Sequence, residues 1–252
     1  MIFPSLDRVK AIAPGYDIVP VYMEILSDVR TPISVLKALK QVSSHTYLLE
    51  SADNSNHWGR YSFLGYDPKI ELFCKNHKMT IKDGTTRTFE CSDPAAEIRN
   101  VLRQYKSPRL EELPTFTGGF VGYFACEYIR YIEPTLDFPT PDDDSAMVND
   151  VDLMLFDKVI AFDHYKNKIY LIANISTSDL ERNYNKAELE LKALADLVVN
   201  GKEADIPKGI LKTEFTSEFT KDEFEAVVKK TQHYIKEGDI FQCVVSNRRE
   251  AE

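Results

Sequence analysis

Gln242 is the one polar side chain in the run IFQCVV, Ile240 to Val245. On a strand, Phe241, Cys243 and Val245 would point one way, and Ile240, Gln242 and Val244 the other. Both faces are apolar, so such a strand needs cover on both sides. A buried amide without partners costs on the order of 1–3 kcal/mol. Gln242 is therefore either hydrogen-bonded inside a core or turned toward a polar cavity. Glu50 and Ser51 stand at the exit of TYLLESAD, and taken alone they read as ordinary surface residues. Arg60, opening GRYSFLGYDP, reads alone as a surface or sheet-edge cation. The acidic run DFPTPDDDSAMVND (137–150) reads as a solvated loop. Metal binding is its weaker reading, because the carboxylates have no fixed scaffold.

Several chemistries find no support. Gly118, Gly119 and Gly122 do not fit the dinucleotide fingerprint and read as a bend or a close approach within a strand. The four cysteines, Cys74, Cys91, Cys126 and Cys243, include no pair at zinc-ligand spacing, and the five histidines do not cluster. Trp58 reads as a loop or edge residue. A net charge of −9 argues against nucleic acid or an anionic membrane as partner. No run of about 18 apolar residues is present, which argues against a membrane span. The N-terminal stretch carries Asp7 early and lacks an apolar core, unlike a signal peptide. A reduced, cytoplasmic protein is the simplest reading.

The elements that must position these residues come from a chain of 252 residues, 43% hydrophobic and 28% charged, an ordinary globular composition. Strands are predicted over 16–26 and 46–52, with a short helix between them capped by Thr31 and opened by Pro32. Residues 60–90 read as a meander with turns at KNHK and DG. A helix follows Asp93-Pro94, with Ile98, Val101, Leu102 and Tyr105 as its stripe. Residues 117–133 start as a strand and turn helical, 151–175 read as a hairpin about HYKN, and 177–200 as a long helix ended by Gly201. The fold class is α+β with largely antiparallel sheets.

Residues 201–215 are polar, hold Gly and Pro, and read as a linker. A fresh start follows. Thr220 and Glu223 form a capping box, and Phe219 and Phe224 stand at the staple positions. Phe224, Val227, Val228, Thr231 and Ile235 share one helical face, and Gly238 ends the helix before the Gln242 strand. This last segment reads as the first helix and strand of a domain whose remainder is absent.

Five blocks now carry a resemblance: LLESAD (48–53), GRYSFLGYDP (59–68), FTGGFVGYFACEYIRYIEP (116–134), LMLFDKVIAFDH (153–164) and EFTKDEFEAVVKKTQHYIKEGDIFQCVVS (218–246). In this order the chain resembles component I of anthranilate synthase, the large chorismate-utilising subunit. The resemblance implies an αββα sandwich, with residues 1–212 as its N-terminal domain and 213–252 as the start of the chorismate-binding domain. It implies a lyase of tryptophan biosynthesis that takes chorismate, Mg²⁺ and ammonia to anthranilate and pyruvate. The ammonia would come from a glutamine amidotransferase subunit. It implies a feedback site for L-tryptophan at Leu49, Glu50 and Ser51, with Arg60 contributing, and a catalytic role for Gln242. A carboxylate can pair with the ammonium of a free amino acid, which suits Glu50. Water-adding relatives carry a lysine base at the position of Gln242. A glutamine cannot take a proton at neutral pH but can orient ammonia, which is already nucleophilic. The metal-ligating glutamates of that family are expected outside these residues, so the chain alone is expected to be inactive. Cys243 stands where valine is expected. Two alternatives remain on the sequence: aminodeoxychorismate synthase component I, and a non-catalytic regulatory or partner-binding module.

Overall fold

The structure, a computed structural model, describes residues 1–28, 30–50, 59–133, 135 and 148–252. They fall into two compact units, Met1–Asp205 and Ile206–Glu252.

The first unit holds two five-stranded sheets, and every ladder in them is antiparallel. One runs in the order β1 (Ile18–Leu26), β10 (Lys168–Ser176), β9 (Lys158–Asp163), β3 (Tyr61–Tyr66), β2 (Thr46–Leu49). The other runs β6 (Thr86–Glu90), β5 (Lys78–Lys82), β4 (Ile70–Lys75), β8 (Val151–Phe156), β7 (Gly119–Phe124). The α+β class and antiparallel pairing expected from the sequence are what the chain adopts.

The first sheet is the central layer because its middle strands are apolar on both faces. Ile160, Phe162, Ile169, Leu171, Ala173 and Ile175 share a core with Val9 of α1 (Leu6–Ile12), with Val35 and Leu39 of α2 (Pro32–Leu39), and with α4 (Leu180–Asn200). Tyr184, Ala187, Leu191, Leu194 and Val198 of α4 are buried at alternating three- and four-residue spacing, which gives one helical face. Val159, Ala161, Tyr170 and Ile172 point the other way and pack with Leu110 and Leu113. As predicted, α2 starts with Thr31, whose side chain accepts from the Ser34 N–H, and has Pro32 in its first turn.

Two sequence readings change at the points where the chain moves between sheets. The hairpin is β9–β10 alone, turning at 164–167, while β8 pairs with β4 and β7. The crossing falls at Asp157, whose carbonyl accepts from the backbone N–H of Asn174 (2.9 Å) and from its side-chain amide (3.0 Å). Likewise the meander is β4–β5–β6 only, because β3 pairs with β2 and β9 in the central sheet. An unbroken apolar pattern cannot reveal such a crossing, since period-2 alternation is the same in either sheet. Between β4 and β5, Asn76 and His77 both take positive φ (48° and 63°), as a two-residue hairpin turn requires.

The second sheet alternates, with Ile70, Leu72, Cys74, Val151, Leu153 and Leu155 packed with Ile98 and Val101 of α3 (Pro94–Leu102). Leu102 departs from its expected stripe and is 41% exposed. It lies about 100° round the helix from Val101. Tyr105 falls beyond the helix, half-buried. After β7 comes a short 3-10 helix, Cys126–Tyr131. The Tyr131 hydroxyl donates to buried Asp150 (2.8 Å) and accepts from the His77 N–H (2.9 Å), which ties that helix to the β4–β5 turn. Cys74 and Cys91 are buried free thiols, whereas Cys126 and Cys243 are exposed.

The second unit begins just after a strap onto α2, where Glu203 accepts from Ser34 Oγ (2.5 Å) and the Ala204 N–H donates to the Lys37 carbonyl (3.0 Å). Its helix α5 (Lys221–Glu237) has the expected capping box and ends at Gly238 with φ 84°. The expected strand at 240–245 is not formed. Phe241 is 94% and Val244 81% exposed, and Gln242 is exposed. A strand apolar on both faces needs a ladder partner and two covers. Among the described residues of this unit the one ladder is β11 (Thr216–Ser217) with β12 (Arg249–Glu250). Asn247 supports it, donating to the Phe219 carbonyl (3.0 Å) and accepting from the Phe219 N–H (3.1 Å). No residue of Ile206–Glu252 is buried, and the α5 stripe is at best half-buried.

With no buried apolar residue, α5 rests on its cap and local hydrogen bonds, which stabilise weakly. Amides of Lys221–Glu237 are expected to exchange well before those of β9 and β10, and a chain ending at Phe215 is expected to unfold cooperatively. Equal protection of α5 and β9 in a monomer would refute this. A second expectation concerns Asp157. Burial pushes its carboxyl up, against the downward pull of Lys158 and Lys69. A raised carboxyl stabilises the fold at low pH and loses that contribution as pH rises through the folded value. At neutral pH, Asp157→Asn is therefore expected to leave the thermal midpoint unchanged or to raise it. A fall would show that the charge is needed.

Candidate functional site

Antiparallel pairing decides which sequence-predicted residues meet. In the register Leu49↔Phe63, the end of β2 lies beside the start of β3, so Leu49, Glu50 and Arg60 gather at one end of the central sheet. Leu49 is 48% exposed, and Glu50, just past the strand, is exposed. Ser51 and Trp58 lie outside the described residues, as does most of the acidic run. Gln242 belongs to the other compact unit.

Arg60 proves to be a structural cation first. Its Nε donates to Asp163 Oδ1 (3.0 Å) and its Nη2 to Oδ2 (2.7 Å), a bidentate pair with a carboxylate that has no exposure to water. Asp163 closes β9. Its Oδ1 also accepts from the N–H groups of Tyr165 (3.1 Å) and Lys166 (3.0 Å), which builds the turn into β10. Burial alone would push this carboxyl up. The Arg60 pair and the two turn amides outweigh burial and hold it below the usual carboxylate range. The same hydrogen bonds push the Arg60 guanidinium further up. Its Cζ lies 4.8 Å from the Tyr61 ring centroid and 5.5 Å from that of Tyr165.

Two further residues at this end were not singled out from sequence. Ser62 Oγ, buried, lies 2.7 Å from His164 Nε2. The His164 N–H donates to the Arg60 carbonyl (2.9 Å). A readable signal was present in FDH at the end of an apolar strand. An acid on a strand that is otherwise buried must have a partner. The result is a hydrogen-bonded set of Arg60, Ser62, Asp163 and His164 at the sheet end where Glu50 is exposed. That arrangement offers one carboxylate to a ligand cation and fixes the strand ends around it.

Among the described residues, no group of three or more His, Cys, Asp or Glu side chains converges on a point. No helix of the described residues is long and apolar enough to cross a membrane.

Residues 45–252 match the chorismate binding enzyme family. Anthranilate synthase component 1 of Acetivibrio thermocellus is 34% identical over 258 residues, which covers 98% of this chain and 51% of that protein. The component 1 protein of Acinetobacter calcoaceticus is 36% identical over 239 residues, 93% of this chain and 47% of that protein. The crystal structure of anthranilate synthase component I from Streptococcus pneumoniae TIGR4 superposes with a TM-score of 0.54 at 26% identity, covering 90% of this chain and 48% of that one. The chain spans about half the length of the curated relatives it matches.

Removing one partner of the Arg60–Asp163 pair leaves the other uncompensated. Arg60→Ala is expected to lower stability by about 3 kcal/mol in urea unfolding at neutral pH. Arg60→Lys should fall between, because an ammonium cannot make the two-pronged contact. Since the folded Asp163 carboxyl lies below its unfolded value, its stabilisation is complete above about pH 4 and is lost as pH falls through the folded value. Asp163→Asn should therefore flatten the acid limb of the stability curve. An unchanged limb, or a neutral Arg60→Ala, would show that the pair is dispensable.

Proposed function

The chain belongs to the chorismate binding enzyme family, and from that premise we propose that it forms part of the large subunit of an anthranilate synthase. That enzyme would convert chorismate and ammonia into anthranilate, pyruvate and water. The observation that carries this reading is the extent of the likeness: proteins named anthranilate synthase component 1 align along 98% of this chain. The five motif blocks fall inside that span, in order. A glutamine amidotransferase subunit is the proposed source of ammonia, in a cytoplasmic setting.

The role proposed for the described first unit is regulatory. Exposed Glu50 would take the ammonium of L-tryptophan, with Leu49 beside it and Ser51 as the proposed hydroxyl partner. Arg60 contributes by position, since two of its three nitrogens are engaged on Asp163. Gln242 is proposed to orient ammonia, and does so only when residues 240–245 are ordered as a strand, because an exposed amide fixes nothing. Mg²⁺ is proposed for the whole enzyme and would supply charge compensation for the carboxylates of chorismate.

The 252-residue chain, given chorismate, ammonia and Mg²⁺, is expected to produce no anthranilate fluorescence above background. Adding the part of a relative that this chain does not span is expected to restore it. Turnover by the chain alone, or no turnover from the mixture under conditions where the intact relative works, would count against the proposal. L-tryptophan is expected to bind weakly to the chain alone and more weakly still after Glu50→Ala. Micromolar binding indifferent to Glu50→Ala would remove Glu50 from the site.

A further inference from the structure

Lys158 opens β9 and Asp163 closes it, so the far end of the strand lies about 17 Å from the Arg60 pair at roughly 3.3 Å per residue. A cleft of about 220 Å³ opens there, between β9–β10 and α4. Its lining includes Ala173 and Ala187, whose small side chains leave room for an occupant. Charges of both signs line it. Asp157 and Glu190 bring carboxylates, and Lys69, Lys158 and Lys186 bring ammonium groups, Lys186 standing 3.4 Å from Glu190 one turn along α4.

Asp157 is the unusual member. Its side chain is 27% exposed, and the nearest cation, Lys69 Nζ, stands at 3.9 Å, beyond hydrogen-bond reach. Among the described residues, no other side chain is hydrogen-bonded to its carboxylate. Its neighbour Lys158 is turned to Asp67 (3.3 Å). The carboxyl is pushed up by burial, the mark of a charge with too little compensation. The half-buried carboxylate therefore keeps accepting capacity that faces the cleft. Asn183 adds a second open acceptor. Its side-chain nitrogen donates to the carbonyls of Ser176 (3.0 Å) and Ser178 (2.5 Å), and among the described residues no donor is hydrogen-bonded to its Oδ1.

We propose that this cleft binds a small zwitterion of the amino-acid type, its ammonium seated on Asp157 and Glu190 and its carboxylate toward the lysines of the rim. A ligand of a single charge would face like charge on one wall. A molecule with an ammonium and a carboxylate a few ångströms apart satisfies both. The ammonium brings three donors, which the Asp157 carboxylate and the Asn183 oxygen lack. This site is separate from the Glu50 end and does not depend on the chorismate reading.

The test is a heteronuclear NMR titration of the 252-residue chain with L-alanine, run beside methylammonium and acetate. L-Alanine is expected to shift the amides of 157–158, 174–176 and 183–190 saturably, and each single-charge compound to bind at least about tenfold more weakly. Asp157→Asn is expected to weaken L-alanine by about tenfold or more, and Glu190→Gln by less. Absence of saturable shifts in the folded wild-type chain overturns the proposal. So does undiminished binding by Asp157→Asn, or acetate or methylammonium binding as tightly as L-alanine. Should Asp157→Asn fail to fold, Glu190→Gln decides, because Glu190 is on the partly exposed side of α4: unchanged affinity there overturns the proposal, and a loss supports it.

Discussion

The carboxylate of Asp163 has no contact with water, and four donors hold it: two from Arg60 and one each from the backbones of Tyr165 and Lys166. Much of the central sheet depends on that arrangement. The backbone donors shape the turn that lets β10 return beside β9. The Arg60 donors fix the start of β3, which is paired to β9 on one side and to β2 on the other. Without the guanidinium, a charge would sit in the core with nothing to offset it. Glu50 is therefore carried on a strand end whose position is set two strands away.

The two acids that flank β9 show how environment sets behaviour. Asp163 has no exposure to water and Asp157 is half-buried, and both lie at strand ends. One has four donors and is held below the usual carboxylate range; the other, for which the pull of Lys158 and Lys69 does not offset burial, is pushed above it. Burial is common to both, and hydrogen-bond supply separates them. The well-supplied acid belongs to the architecture. The poorly supplied one faces open space.

Local patterns were legible where chemistry is local. The Thr31 and Thr220 caps, the α4 stripe and the antiparallel class were all readable in the sequence, because caps and periodicity depend on near neighbours. The crossings at Asp157 and after Tyr66 were not, since a strand passing from one sheet to another keeps its alternation. The 240–245 run misled for a related reason. Its apolar residues state a preference for burial, but a strand exists only with a partner, and Ile206–Glu252 offers none among the described residues. At the candidate site, Glu50 and Arg60 were visible as residues. Arg60's commitment to an acid 103 positions away was not. Such a pairing belongs to the ladder register and not to any short motif.

The placement of the four thiols gives the molecule a built-in set of reporters. Cys126 lies exposed in the first compact unit and Cys243 exposed in the second, while Cys74 and Cys91 are sealed in the second sheet's core. A thiolate reacts only where reagent can reach it. A maleimide dye can thus be attached once to each unit without touching the buried thiols. The two protected sulfurs then become available only when that sheet opens. Mass spectrometry of the labelled chain would read the opening of that sheet directly, one alkylation at a time.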